Sequence, residues 1–395
     1  MRLVERHIIK DNRFEDICLK SGLLYNYVLY LVRQGIFNKE YLKEYDLSTK
    51  LGRENQFDFR NLPCNVSQQV VGQVFKSINS WIKLKKDFEK NPAKYNNCRP
   101  HLPSYKKGKK QNMVVFTTNT CRVKEGYIYF VKNIIQPIKT KIGDGKLCQV
   151  RIIPQATCYV VEVIYEKKEQ DLNLNKDNVL SIDLGLNNLC SCVNNVDKQP
   201  FIVNGRIMKS FNQWYNKRKA KLMSFAGDKG TSKRLRQLNN YRNFWIEDHI
   251  HKVSRFVINY CVDNNIGSLV VGLNKGWKQE INLGKKTNQK FVEIPFSRLI
   301  DKISYKCKLV GISFYLSEES YTSKVDHLAF EELGKHDVYL GKRKQRGLFQ
   351  SSVNKLINAD INGAIGIGRK VFGDSYVSRI IDSGLAFNPI KVNIS

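Results

Sequence analysis

Three acidic positions could do chemistry, because each interrupts a basic or apolar run. Asp183 ends the apolar stretch of SIDLGLNNL, with Gly185 beside it and Asn187–Asn188 turning the chain. Glu318 and Glu319 follow an apolar run in ISFYLSEESYTSK, and Asp360 opens LINADINGAIGI, where Gly363 and Ala364 let a helix lie close on a sheet. Singly, an acid at such a place is often a turn or helix cap. Three acids ending buried elements of one α/β domain predict more. In an RNase H-like sheet they converge on one edge and hold two divalent ions about 3.5–4 Å apart, the chemistry of phosphodiester hydrolysis. Mg²⁺ or Mn²⁺ suits such oxygen ligands.

The elements that must position these acids follow from periodicity. After residue 178 strands and helices alternate, as in an α/β layered domain. Val179–Asp183 and LCSCV read as buried strands, Lys209 to about Asn265 as helix broken near Gly227 and Gly230, and Gly267–Gly272 as a strand. Phe296–Leu309 reads as helix, Gly311–Leu316 as strand, and a further helix starts near Ala359. Upstream, residues 1–10 form a short strand and 13–88 a helical block, with Asn65 or Ser67 as a candidate cap. Residues 105–168 alternate as antiparallel strands. The helical block therefore reads as an insertion into a small β-barrel or sandwich whose first strand lies at the N-terminus.

Composition narrows the partner. The 395 residues carry 66 Lys+Arg against 36 Asp+Glu, a formal charge of +30 spread along the chain. With 42% hydrophobic and 11% aromatic residues the chain folds, and its surface calls for a polyanion. No run approaches the roughly 18 apolar residues of a membrane span, and the N-terminus lacks a signal peptide's apolar core. The expected setting is soluble and intracellular. The ten cysteines contain no C-x-x-C, so they read as core thiols and not as a metal site.

The runs SIDLGLNNL, GLNKGWKQEINLGKKTNQKFVEIPFSRLIDKISYKCKLVGISFYLSEESYTSK and GLFQSSVNKLINADINGAIGIGRK resemble the TnpB family. These are OrfB-type proteins of bacterial insertion sequences, related to type V CRISPR nucleases. The resemblance spans about residues 1–390 and is strongest after 178. It implies an RNA-guided DNA endonuclease with a structured, omega-type guide RNA and double-stranded target DNA as partners. The protein would act in the bacterial cytoplasm, near the nucleoid, as a monomer in its ribonucleoprotein or a weak dimer. The implied fold is an α/β RNase H-like (RuvC) nuclease domain over 173–395, a wedge β-barrel over 1–12 and 101–172, and an inserted helical recognition domain over 13–100. Asp183 matches the family's first catalytic Asp and Asp360 the last, while the helices of Lys209–Asn265 match an insertion between nuclease motifs.

Two departures from the family pattern stand out. The strand GSLVVG ends at Gly272, where most members carry a catalytic Glu. Either Glu319 or Glu318 supplies the missing carboxylate from the next strand end, with Glu319 preferred, or the chain binds DNA under RNA guidance without cutting it and acts as a regulator. A strand-joining DDE-type transposase shares the fold and ions but fits the motifs less well. In addition, 321–352 sits where members carry a zinc ribbon, yet it has no cysteine. His327 and His336 with Asp326, Glu331, Glu332 and Asp337 make a poor tetrahedral zinc set, so a degenerate, zinc-free lobe is expected.

Nucleic-acid contacts are sought where cations cluster with aromatics. SYKKGKKQN offers Lys106, Lys107, Lys109 and Lys110 in a flexible loop. Between Ile202 and Phe256 there are 13 Lys/Arg and three acids, including Lys217, Arg218, Lys219, Lys233, Arg234, Arg236 and Arg242. Trp214, Tyr215, Tyr241 and Trp245 lie among them, many of them read as core. Lys342, Arg343, Lys344 and Arg346 in GKRKQRGLF form a third patch close in sequence to Asp360, able to hold the strand being cut.

Overall fold

A computed structural model describes residues 1–227, 230–273 and 294–394. Part of the Gly272–Lys324 block that carries the resemblance, residues 274–293, lies outside them. The chain divides into two compact units, Met1–Lys168 and Glu169–Ser395.

In the first unit, β1 (Arg2–Ile9) alternates exposed and half-buried residues and pairs antiparallel with β7 (Tyr159–Glu166), from Arg2↔Glu166 to Ile9↔Tyr159. The helical block thus interrupts a sheet ordered β1-β7-β6-β2, with β6 Lys146–Pro154 and β2 Val114–Thr117. A second, three-stranded sheet joins β3 (Cys121–Lys124), β4 (Tyr127–Phe130) and β5 (Ile138–Lys139). The helices are α1 (Glu15–Phe37), α2 (Glu44–Arg53), α3 (Phe57–Arg60) and α4 (Cys64–Lys90). Leu24, Val28 and Leu29 of α1 and Val66, Val70 and Val74 of α4 are buried in one core with Val114 and Val161 of the sheet. Neither Asn65 nor Ser67 caps α4, correcting that expectation: the helix starts directly after Pro63, whose fixed φ suits a helix entry. Ser67 Oγ instead donates to the Phe59 carbonyl at 2.6 Å.

The second unit is built on a mixed sheet ordered β12-β11-β8-β9-β10-β16. Its strands are β8 (Val179–Asp183), β9 (Asn188–Asn194), β10 (Phe201–Asn204), β11 (Ser268–Gly272), β12 (Ser313–Ser317) and β16 (Ile390–Val392). Strands β8, β11 and β12 run parallel, with Val271 beside Ile182 and Gly272 beside Ser317. Between the strands lie α5 (Arg206–Ala226), α6 (Lys233–Asp263) and α7 (Phe296–Val310).

Successive strand residues face opposite sides, and the two cores obey this. Leu180, Ile182, Leu269 and Val271 bury against α6 and α7, whereas Val179 and Val270 bury against α8 (Ala359–Phe372) and α9 (Asp374–Asp382). On the α8 side Ser181 Oγ meets Tyr376 Oη at 2.6 Å, and that hydroxyl also donates to the Val193 carbonyl. Buried Cys190, Cys192, Cys261 and Cys307 belong to the other core, where burial pushes the Cys190 and Cys307 thiols up to about 12. All ten cysteines are free.

Residues 321–352 include a small sheet of β13 (Lys342–Gln345) and β14 (Leu348–Gln350), completed by β15 (Leu356–Asn358). Several of the residues considered as zinc ligands are held by hydrogen bonds. Asp326 accepts from Ser351 Oγ and from Ser352 N and Oγ at 2.7–2.9 Å, and Glu331 accepts from the Asp326 and Leu340 amides. Arg369 of α8 donates to the Glu331 and Phe330 carbonyls. His327 is fully buried with Nε2 on the Thr322 carbonyl and no hydrogen bond at Nδ1, and burial lowers its pKa to about 4.

That histidine makes stability depend on pH. A neutral buried imidazole whose unfolded pKa is near 6.5 leaves stability intact above that value and removes it as pH falls toward 4, because the unfolded chain then binds the extra proton. Hydrogen-exchange protection of the α8 amides in wild type relative to His327→Gln is expected to fall on the order of 30-fold, about 2 kcal/mol, from pH 7 to pH 5. Parallel pH dependence in the two proteins would contradict the assignment.

Candidate active site

Parallel strands that finish at the same edge bring their C-terminal residues together, where open α/β sheets place their sites. Asp183 ends β8, Gly272 ends β11, and Ser317 ends β12 two residues before Glu319. Asp183 shares its face of the sheet with Val179 and Ser181, and Gly272 shares that face with Val270, so both turn toward α8. Helix α8 opens there: Asn358 caps it, accepting from the Asp360 and Ile361 amides, which places Asp360 in the first turn.

The Glu319 and Asp360 carboxylates both act on Asp183 through their charge. A Cβ built on Gly363 would stand 3.2 Å from Asp183 Oδ2, so the missing side chain lets α8 pass directly over that carboxylate. A Cβ on Gly272 would lie 2.6 Å from Glu319 Oε1 and 2.7 Å from its Cγ. Glu319 and Ile367 of α8 therefore together fill the space a side chain at Gly272 would enter. Glu318, by contrast, is exposed. Its carbonyl and the Ser320 carbonyl and hydroxyl accept from Lys370 Nζ of α8 at 2.6–3.1 Å. This clamp on either side of Glu319 fixes the turn that directs it inward.

The electrostatics agree with that crowding. Burial, then the Glu319 and Asp360 carboxylates, hold the Asp183 carboxyl well above its usual range, against the pull of the Leu184 amide and Arg343. Burial pushes Glu319 up to about 7, with Lys370 opposing. Asp360 Oδ2 accepts from Asn188 Nδ2 at 2.6 Å, and Lys209 Nζ bonds Asn187 Oδ1 at 2.9 Å, so the turn after β8 is tied to α8 and α5. Crowded carboxyls resist ionising together, and a divalent cation among them reverses that preference. The donor set is all oxygen, as Mg²⁺ or Mn²⁺ requires. As they stand, no three Asp, Glu, His or Cys side chains among the described residues close around one ion position. The carboxyls share one field without forming a finished cage.

The basic candidates fall in different places. Lys342, Arg343, Lys344 and Arg346 are exposed on and beside β13, and the field of Arg343 reaches Asp183. Lys217 and Arg218 on α5 and Lys233, Arg234 and Arg236 on α6 are exposed, and Lys219 is half-buried. In the first unit the lysine loop is pinned along α1, not freely flexible. Asn26 bonds the Lys106 amide and carbonyl, Lys106 Nζ lies 4.5 Å from the Tyr25 ring centroid, and Lys109 pairs with Glu15 at 2.8 Å. Lys107 and Lys110 are exposed. Sequence reasoning missed Asn188 and Lys370. Asn188 had a weak signal in the Asn187–Asn188 turn, whereas Lys370 lies ten residues beyond Asp360 with nothing local to mark it.

No helix among the described residues is long and apolar enough to cross a membrane. Residues 161–278 match the family described as OrfB_IS605, probable transposase, and residues 296–367 match the Cas12f1-like TNB domain. No curated protein matches the chain. Among solved structures, the chain is similar to a Cas12f1–sgRNA–target DNA complex seen by cryo-EM, with 14% identity, a TM-score of 0.52, and coverage of 90% of this chain and 81% of that one. A cryo-EM CRISPR-Cas12f ternary complex is similar at 13% identity and a TM-score of 0.38, covering 90% of this chain and 80% of that one. The fold is of the Cas12/TnpB type, and the two family matches, which cover most of the site-bearing unit, support a TnpB-family reading of the chain.

Proposed function

We propose that this protein is an RNA-guided DNA endonuclease of an insertion sequence, cutting phosphodiester bonds at a centre formed by Asp183, Glu319 and Asp360. The single observation behind it is that Glu319 lies beside Gly272 while its charge and that of Asp360 both bear on Asp183. A regulator that only binds DNA has no use for a buried Asp183 carboxyl on which the charges of Glu319 and Asp360 also bear. In this reading 173–395 is the RuvC-like nuclease, residues 1–12 and 101–172 are the wedge, 13–100 recognise the target flank and guide, and 321–352 works without zinc.

Divalent cations, when bound, supply the Lewis acidity that activates water and stabilises the leaving oxygen. The protein's own groups then have distinct tasks. Asp183, Glu319 and Asp360 hold the cations, Asn188 fixes the orientation of Asp360, and Lys370 fixes the turn that presents Glu319. Arg343, whose charge reaches Asp183, and the exposed Lys342, Lys344 and Arg346 beside it would neutralise the phosphates of a strand approaching the acids. Sequence specificity comes from guide pairing, consistent with a chain rich in charge and poor in base-reading motifs.

With guide RNA, target DNA and Mg²⁺, alanine at Asp183, Glu319 or Asp360 is expected to lower cleavage on the order of 10³-fold or more, and chelation of Mg²⁺ to abolish it. Glu318→Ala should stay within a few-fold of wild type. If wild type leaves DNA intact, the nuclease assignment fails; if Glu318→Ala is the dead variant, Glu319 is the wrong ligand.

The exchange of position is testable on its own. Glu319→Gly should be inactive, and adding Gly272→Glu to it should recover at least about tenfold of the lost rate, since both backbone positions reach one space. Gly272→Ala alone should impair cleavage by displacing Glu319 while leaving target binding intact. An unrescued double variant, with a fully active Gly272→Ala, would show that the two positions are not equivalent.

A further inference from the structure

Helices α5 and α6 carry an aromatic column whose inner rings, Phe211 and Trp245, pack against the α6-side core of the sheet and whose outer rings lie beyond it. Trp245 stacks on buried His249 with centroids 5.1 Å apart and planes within 6°. Phe211 stacks on Trp245 at 3.9 Å and 16°. Beyond Phe211 the column ends in Trp214 at 5.5 Å and Tyr241 at 5.9 Å, which meet each other at 5.9 Å and 74°. These two end rings are out in solvent, 47% and 52% exposed.

The surroundings define what the end rings would receive. Helix α5 has no acidic residue and carries Arg206, Lys209, Lys217, Arg218, Lys219 and Lys221. Next to the rings, Arg242 is held by Asn212 Oδ1 at 3.0 Å and lies over Tyr215 at 4.9 Å. Stiff aromatic faces within a cationic field form the combination that takes up unpaired bases along a phosphate chain. Lys209, two residues before Phe211, bonds the turn that follows Asp183, which ties this end of α5 to the acid centre.

We infer that Trp214 and Tyr241 form a platform on which an unpaired nucleobase stacks, holding a single strand on α5–α6 close to the Asp183 centre. This deepens the nucleic-acid reading above and rests on it. The ligand is a single-stranded segment of RNA or DNA, recognised by an aromatic ring face and its flanking phosphates and not by base-specific hydrogen bonds.

The test uses the full chain stripped of copurified nucleic acid, at about 0.15 M salt where long-range attraction is screened. Its probes are oligo-U RNA, oligo-dT DNA and an abasic DNA strand of equal length. The platform predicts tighter binding of base-bearing than of abasic strands, with a roughly 5- to 100-fold loss in Trp214→Ala or Tyr241→Ala. Trp214→Phe should keep most of the affinity, abasic binding should be unchanged in all variants, and quenching of tryptophan fluorescence should largely vanish in Trp214→Phe. The stronger of the RNA and DNA arms identifies the source of the strand. Equal, salt-sensitive binding of base-bearing and abasic strands, unaffected by Trp214→Ala, overturns the platform and leaves the nuclease reading standing. No binding of any oligonucleotide overturns both.

Discussion

Mutual repulsion among carboxyls that separate elements force together is the constraint on which this structure turns. Like charges at a partly buried sheet edge are costly, and folding accepts that cost because each acid is fixed by something that does not titrate with it. The termini of β8 and β12 are set by parallel pairing through β11, and the start of α8 is set by the Asn358 cap. The backbone positions of the acids are therefore built into the topology. In the proposed reading, small, hard cations turn that crowding into attraction.

Helix α8 does most of the positioning. One face carries Ile361, Ala364 and Ile365 into the core on the sheet. Its Gly363 clears Asp183, its first turn offers Asp360, and its Lys370 holds the 318–320 turn. At the same time Arg369 ties it to residues 330 and 331, where a polar network around Asp326 and Glu331 gives the 321–352 lobe its internal order. Displacement of this one helix would disturb two of the acids and the lobe at once.

Much of this was legible in the sequence, and the reasons differ by residue. Asp183 and Asp360 could be read because each closes or opens an element whose periodicity is strong. The antiparallel return of residues 105–168 and the β1 edge were readable from alternation. Which of Glu318 and Glu319 turns inward was not, since both lie past the end of β12, where the period of two no longer holds, and Lys370 holds that turn from fifty residues away. The α4 cap failed for a related reason: Pro63 already supplied a helix entry, freeing Ser67 for a tertiary bond. Of the aromatics between 202 and 256, Tyr215 is buried as expected, whereas Trp214 and Tyr241 are exposed, a difference that depends on how α5 meets α6.

The most direct measurement is anomalous X-ray diffraction from crystals of the wild-type protein soaked in Mn²⁺. Two manganese peaks about 3.5–4 Å apart, bounded by oxygens of Asp183, Glu319 and Asp360, are expected, with a weaker peak beside position 319 in crystals of Glu319→Gln. A saturated crystal with no peak at that edge, or with a peak held by Glu318 instead, would contradict the assignment.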